Sequence, residues 1–243
     1  MLHLHRLEHD QRLALLDDLA DFRIDRHDTA VPPRHPPAVA PPRHLLLWRV
    51  VRLHGGGSWC VHGGTWGLGT LSTMVGGSSG ATASANAGSG AKWEAGRKIC
   101  ASTAINYKSE DFVPRVMQAT GGRGVDVVLD IVGRDYVQRS LNVLAMNGRL
   151  VHLATQGPDK LATIDMSSLL KRWGTIIGSG LRWRTPDQKG EIAAGLLEQV
   201  WPKMAARTAI VPLIDSVYPL RDAAKAHERF DSGAHIGKLV LVP

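Results

Sequence analysis

A glycine-rich stretch in the first third of the chain constrains its fold more than any other feature. It spans residues 61–70 and reads VHGGTWGLGT. Glycines permit a sharp turn and the close approach of a ligand, because a Cβ atom would collide with a bound pyrophosphate. The stretch predicts a turn between a strand and a helix whose backbone N–H groups face a phosphate. On its own it is equally compatible with a flexible loop.

The composition indicates a globular protein. The chain has 243 residues, 44% of them hydrophobic and 21% charged, so it can bury a core. No window approaches the roughly 18 apolar residues of a transmembrane helix, and the N-terminus lacks the apolar run of a secretory signal. The two cysteines, Cys60 and Cys100, exclude a disulfide framework and a multi-cysteine zinc cluster, and they fit a reducing, cytoplasmic setting.

The net charge of +7 raises the question of nucleic acid. No element interleaves basic and aromatic residues, however. We therefore expect a solvated basic surface with one phosphate site, and neither nucleic acid nor membrane as a partner.

Residues 1–57 differ from the rest of the chain. The stretch 31–44 contains six prolines, which favour extended chain over helix or central strand, and the first lysine of the protein is Lys92. Seven histidines fall in this segment, but none forms a pair beside carboxylates on a convincing helix face. We expect residues 1–44 to be poorly ordered. A truncated or mis-framed gene model would account for this composition.

From residue 91 onward, apolar strands alternate with amphipathic helices. The predicted strands are 103–107, 125–132, 148–155 and 175–179, and the predicted helices are 92–98, 110–119, 134–145, 166–172 and 185–206. This alternation predicts right-handed crossovers and a doubly wound parallel sheet. Residues 76–90, by contrast, have the composition of a Gly/Ser/Ala linker, and the residues just before them are poor helix formers.

Ligands of such a sheet bind at the carboxyl ends of its strands. The glycine turn lies at one predicted strand end, Val132 at a second and Ala154 at a third. The end of the chain breaks the pattern, with a strand predicted at 209–218, a helix at 220–230 and a strand at 238–242. This order of elements indicates that the C-terminal segment is part of a second domain.

Five stretches together carry a resemblance, in order and at consistent spacing. They are residues 62–70, 104–112, 120–130, 147–151 and 232–241. They resemble the medium-chain dehydrogenase/reductase family, in particular its zinc-independent NADPH:quinone oxidoreductases of the zeta-crystallin-like type. Residues 71–90 also align without a gap, as the first helix and second strand of that fold.

The resemblance implies an α/β protein in two parts. Residues 58–207 correspond to a Rossmann-type NADP-binding domain, and residues 208–243 to a C-terminal remnant of a GroES-like catalytic domain. The long N-terminal part of that catalytic domain has no counterpart in residues 1–57. Members of the family commonly pair through their nucleotide domains, so we expect a homodimer.

The chemistry beyond the glycine turn favours NADPH over NADH. An NAD-specific site places an acid about 20 residues past the turn to bind the ribose 2′-hydroxyl. Residues 87–92 contain no acid, while Ser89 and Lys92 offer a hydroxyl and an ammonium group. The resemblance implies that these two residues and Tyr107 flank a 2′-phosphate. The alternatives are an ordinary exposed lysine at position 92 and a tyrosine that packs on the adenine without specificity.

The candidate cofactor-binding residues are Gly64, Thr65, Trp66, Gly67, Leu68, Gly69, Ser89, Lys92, Tyr107, Val132, Ala154 and Lys238. Trp66 stands where the family has Ser or Gly. An indole directed to solvent would leave the pyrophosphate site open, and an indole turned inward would block it.

The reaction that the resemblance implies is hydride transfer from NADPH to a quinone or similar activated carbonyl, without a metal. The alternatives are an enoyl reductase of the same superfamily, which needs a proton donor for the α-carbon, and a nucleotide-binding remnant without turnover. The sequence assigns no catalytic acid or base. Asp130 and His152 lie within core strands and are interpreted as structural, and His235 as either a cleft residue or an exposed turn histidine.

Overall fold

The computed structural model describes residues 55–87, 101–156, 161–206 and 210–243. They fall into two compact units, of which the first ends at Leu213 and the second comprises Ile214–Pro243. The predicted helix at 92–98 and the proline-rich segment lie outside the described residues, and so does the predicted domain boundary after residue 207. None of the described helices is long and apolar enough to cross a bilayer.

The first unit is built on a six-stranded parallel sheet. Its strands are β1 Ser58–Val61, β2 Thr82–Ala87, β3 Ala101–Asn106, β4 Val125–Asp130, β5 Leu144–His152 and β6 Thr175–Gly178. Their order is β3-β2-β1-β4-β5-β6, and every neighbouring pair is parallel. The strand order reverses between β1 and β4. In doubly wound sheets the ligand crevice lies at the carboxyl ends of the two strands where the order reverses. The predicted doubly wound parallel sheet is confirmed.

Six helices of the described residues connect these strands or follow them. They are α1 Gly67–Gly77, α2 Phe112–Ala119, α3 Asp135–Asn142, α4 Met166–Lys171, α5 Pro186–Gln199 and α6 Trp201–Ala205. Asp111 and Asp165 accept backbone N–H bonds at the starts of α2 and α4, and Thr185 forms a reciprocal capping box with Gln188 at the start of α5. Side-chain caps of this kind stabilise the first turn of a helix and fix where it begins.

Both faces of the sheet are covered, which explains the continuous apolar run of β4. Val127 and Leu129 pack in one cluster with Trp59, while Val125 and Val128 pack in another cluster on Phe112. A strand buried on both faces needs apolar residues at successive positions rather than at alternate ones.

The linker interpretation of residues 76–90 is wrong where the structure describes them. Residues 67–77 form α1 and residues 82–87 form β2, as the family resemblance implied. A Cβ on Gly76 would lie 2.6 Å from the ring of Trp59, so this glycine lets α1 approach the sheet. Tertiary packing here overrides the low helix propensity of glycine.

Two predicted helices end three or more residues before the predicted position. Helix α3 ends at Asn142 instead of reaching residue 145, because the chain enters β5 at Leu144. The helix predicted to run to residue 206 breaks at Val200 into α5 and α6. Pro202 has no N–H to donate, and its ring would clash with the carbonyl of Glu198 in a continuous helix.

The second unit is a small α/β element. It contains β7 Ile214–Pro219, a 3₁₀ turn Leu220–Asp222, α7 Ala223–Asp231 and β8 Lys238–Val242, with β7 and β8 paired in parallel. Arg229 donates to both carboxylate oxygens of Asp215, and the Ile236 amide adds a third bond. Burial would raise the pKa of Asp215, but these hydrogen bonds and that of Ser216 lower the pKa to about 2.

Candidate functional site

The glycine stretch forms the turn between β1 and α1, at the carboxyl edge of the sheet. Gly63 adopts φ +72°, and its carbonyl accepts a bond of 3.1 Å from the Trp66 amide. A Cβ on Gly69 would lie 2.2 Å from the Gly63 oxygen and 2.5 Å from the Gly64 Cα atom. The start of α1 is therefore packed directly against the backbone of the turn, and only glycine fits at position 69.

The N-terminus of α1 suits an anion. Trp66 occupies the N-cap position in an extended conformation and forms no side-chain capping bond. The first turn, which is described in full, carries no acidic residue. The first amides of a helix lack intrahelical acceptors, and the helix dipole favours negative charge beside them. These residues fit the phosphates of a dinucleotide, although the binding roles of Gly64–Gly69 stay predictions.

The indole of Trp66 lies alongside the turn. Its Cε3 atom is 3.8 Å from the position that a Cβ on Gly63 would take, and the residue is 36% exposed. The side chain is thus intermediate between the two arrangements considered from the sequence: part of the ring faces solvent and part covers the turn.

The other candidate residues of this edge follow neighbouring strands. Tyr107 comes directly after β3 and is 47% exposed, Val132 follows β4, and Ala154 follows β5. The Gln156 amide donates to the Val132 carbonyl, which joins the loops after β4 and β5. The sheet thus brings the ends of these strands and the glycine turn to one edge, as predicted.

Three candidates cannot be placed at this edge. Ser89 and Lys92 lie outside the described residues, so the preference for a 2′-phosphate is supported by the sequence alone. Lys238 begins β8 in the second unit.

A hydrogen-bonded chain that the sequence interpretation did not anticipate lies at the ends of β4 and β5. Asp130 has no exposed surface, and its Oδ1 atom accepts the amides of Val132 and Gly133 at 2.8 and 2.9 Å. Its Oδ2 atom lies 3.2 Å from Nδ1 of His152, whose Nε2 atom lies 2.8 Å from the Thr155 hydroxyl. The available signal was the strand register, because an acid and a histidine that end adjacent parallel strands stand side by side.

His62 is a structural residue of the turn. Its ring is buried between Phe112 and Tyr136, and its Nε2 atom lies 2.9 Å from the Ser140 hydroxyl. Burial lowers the pKa of His62 to about 4; the charge of Asp130 opposes this effect and that of Arg139 reinforces it. The imidazole is therefore neutral near pH 7.

His235 is buried and stacks on Phe230 with a centroid distance of 5.0 Å. The interpretation of His235 as an exposed turn histidine is therefore wrong. Within the described ranges, no group of three or more His, Cys, Asp or Glu side chains is arranged to hold a metal ion.

Comparison with known proteins agrees with this geometry. The sequence profile described as zinc-binding dehydrogenase matches residues 100–241, more than half of the chain. A quinone oxidoreductase of Rattus norvegicus is 27% identical over 204 residues, covering 81% of this chain and 57% of that protein. A 2-haloacrylate reductase of Burkholderia is 29% identical over 203 residues, covering 82% of this chain and 59% of that protein.

A solved structure shows the same fold. The crystal structure of Escherichia coli quinone oxidoreductase complexed with NADPH matches with a TM-score of 0.70 and 25% identity, covering 88% of this chain and 68% of that one. The chain spans less than three-fifths of the length of the two relatives named above.

Proposed function

The chain belongs to the zinc-binding dehydrogenase family, within the medium-chain dehydrogenases/reductases, and from that premise we propose that it is an NADPH-dependent oxidoreductase. The proposed acceptor is a quinone or a similar activated carbonyl compound. The proposal includes no metal ion, because a quinone is already electrophilic and needs no Lewis acid.

The observation that carries this proposal is the glycine turn at the point where the strand order reverses. A Cβ on Gly63 would lie 2.8 Å from the Ile131 side chain, so the turn after β1 packs directly on the end of β4. Dinucleotides bind across this crevice, with the pyrophosphate at the N-terminus of the first helix. When bound, the nicotinamide supplies the hydride, and the chain's task is to position it and exclude water.

NADPH is proposed over NADH on the residues after β2. Residues 87–92 contain no acidic residue, which would be the usual partner of the ribose 2′-hydroxyl of NADH. The ammonium group of Lys92 would instead attract the 2′-phosphate of NADPH. Tyr107 supports this assignment, since it is exposed at the end of β3, in the half of the sheet that would hold the adenosine of a bound dinucleotide.

A second candidate function is the reduction of an activated carbon–carbon double bond. It is favoured by the relative named 2-haloacrylate reductase, which matches 82% of this chain at 29% identity. Such a reaction differs from quinone reduction in one respect: the carbon next to the activating group must receive a proton.

We also propose a cytoplasmic homodimer. Strand β6 forms an edge of the sheet, and Ile176 on it is 38% exposed. An edge strand that carries an exposed apolar side chain favours pairing with a second copy. Light scattering of the purified chain should give twice the monomer mass, and Ile176→Asp should give the monomer mass. A monomeric parent chain would contradict this proposal.

The experiment that tests the function follows oxidation of NADPH by the purified chain. Turnover with 1,4-benzoquinone would support the first candidate, and turnover with an enone the second. Binding of NADPH without turnover of either acceptor would overturn both and indicate a nucleotide-binding protein without catalysis.

A further inference from the structure

The hydrogen-bonded chain from Asp130 through His152 to Thr155 is not among the residues proposed to hold the cofactor phosphates. We propose that it is a proton relay, in which the Thr155 hydroxyl donates a proton to the substrate and His152 restores it. This proposal depends on the proposed oxidoreductase function. It identifies the residues that supply the proton accompanying hydride transfer in that reaction.

The buried end of the relay is fixed by its surroundings. Asp130 is completely buried, and the amides of Val132 and Gly133 occupy one of its carboxylate oxygens. The other oxygen faces Nδ1 of His152. A carboxylate in this position holds the proton on Nδ1, so Nε2 is the nitrogen that exchanges a proton with Thr155.

Gly133 makes room for the relay. It adopts φ +73°, and a Cβ there would lie 2.9 Å from Cγ2 of Thr155 and 3.1 Å from Cε1 of His152. Both side chains therefore lie against the backbone of the loop after β4, which limits their alternative rotamers. The Leu153 amide also donates to the Asp130 carbonyl, so the loop carrying Thr155 is tied to the same strand end.

The relay lies in the half of the sheet that would receive the nicotinamide half of a bound dinucleotide. In a doubly wound sheet of this order, the two mononucleotide halves lie on either side of the switch point. The glycine turn and Tyr107 belong to the β1–β3 half, whereas His152 and Thr155 follow β5 in the β4–β6 half. The His152 side chain is 30% exposed, so the imidazole can exchange protons with water.

The one proton that the step consumes comes from solvent and reaches the acceptor through His152 and Thr155. Hydride transfer brings two electrons and a hydrogen to the acceptor and leaves it basic at oxygen or at the α-carbon. The O–H bond of Thr155 breaks as its proton moves to that atom, and the Nε2–H proton of imidazolium restores the hydroxyl. This transfer leaves His152 neutral, with its Nδ1–H bonded to Asp130, and the ring takes up a proton from solvent at Nε2 before the next turnover.

The relay matters more for an enone than for a quinone. A reduced quinone is an oxygen base that water protonates readily, whereas the α-carbon of a reduced enone depends on a positioned donor. The same variant should therefore affect the two acceptors to different extents, which separates a loss of proton transfer from a loss of folding.

The test compares Thr155→Val with Thr155→Ser in the full chain. Valine keeps the methyl group beside Gly133 and removes the hydroxyl, and serine keeps the hydroxyl. We expect Thr155→Val to lower the enone-to-quinone ratio of kcat about 100-fold with little change in the Kd for NADPH, and Thr155→Ser to restore most of it. The matched control is Thr120→Val, which removes a hydrogen-bonded hydroxyl from the loop before β4 and should leave the ratio unchanged.

A second readout does not depend on turnover. Nitrogen NMR of the protein without cofactor should show His152 with a proton on Nδ1, and Thr155→Val should shift its Nε2 resonance. Turnover of the enone with equal rates for the parent chain and Thr155→Val would overturn the relay and leave the proposed function standing. An unshifted Nε2 resonance would also overturn it. A parent chain that turns over neither acceptor would instead refute the proposed function.

Discussion

The Cα atom of Gly69 lies so close to the carbonyl of Gly63 that a Cβ on Gly69 would be 2.2 Å from that oxygen. The contact joins the first turn of α1 to the backbone of the glycine turn. It fixes the direction in which the helix leaves the turn, and with it the position of the proposed phosphate site.

Gly69→Ala should therefore be strongly destabilising. The added methyl group meets backbone atoms, which cannot move aside as a flexible side chain can, and the expected loss is at least about 2 kcal/mol in the free energy of unfolding. The control is Gly190→Ala in α5, where a Cβ meets nothing within 4 Å. That change should stabilise by about 0.5–1 kcal/mol. Urea unfolding of both variants measures the difference, and equal stabilities would contradict the close packing of the turn.

Trp66→Ser should tighten NADPH binding several-fold. Serine is a favoured N-cap residue, whereas the indole covers part of the turn and forms no capping bond. Titration calorimetry measures the Kd. Trp173→Ser is the control, because Trp173 is 70% exposed and precedes β6 at the opposite edge of the sheet. An unchanged or weaker affinity in Trp66→Ser would count against the phosphate site described above.

His62 should make the stability depend on pH between about 4 and 6.5. Its pKa is lowered to about 4 in the folded chain from 6.5, so in this window the unfolded chain binds the additional proton. Stability should then fall as the pH falls, by up to about 3 kcal/mol across the window. Urea unfolding at several pH values should show this slope in the parent chain and a smaller one in His62→Gln. The same slope in both proteins would show that His62 is not the group responsible.

The thiol of Cys60 should be inert in the folded protein. Burial raises its pKa to about 12, with a smaller contribution from the charge of Asp130. In a Cys100→Ser background, an aromatic disulfide reagent at about pH 8 should react only after the chain is unfolded with guanidinium. Fast reaction of the folded protein would mean that β1 is accessible.

Much of the fold could be predicted from the sequence because β4 and its neighbours are buried on both faces. Their apolar runs and the amphipathic helices between them could be recognised in the sequence from the spacing of the apolar residues. Helix α1 was not visible as a pattern, since its glycines serve contacts with Trp59 and with the turn, and such contacts exist only in three dimensions. The family resemblance supplied what local propensity could not.

The candidate site was predicted less completely. The glycine turn and the strand ends after β4 and β5 could be located, since parallel strands end at one edge. The pairing of Asp130 with His152 could not be predicted from the residue types, because an acid and a histidine within apolar strands are also compatible with hydrogen-bonded core residues. Only the register of β4 against β5 brings the two side chains together.

The most direct test of the central claim is the affinity of the purified chain for NADPH compared with NADH, measured by fluorescence enhancement. We expect a micromolar Kd for NADPH, about tenfold or more below the Kd for NADH, and a loss of this preference in Lys92→Ala. Equal or tighter binding of NADH would contradict the 2′-phosphate assignment. Binding of neither would contradict the proposed function as a whole.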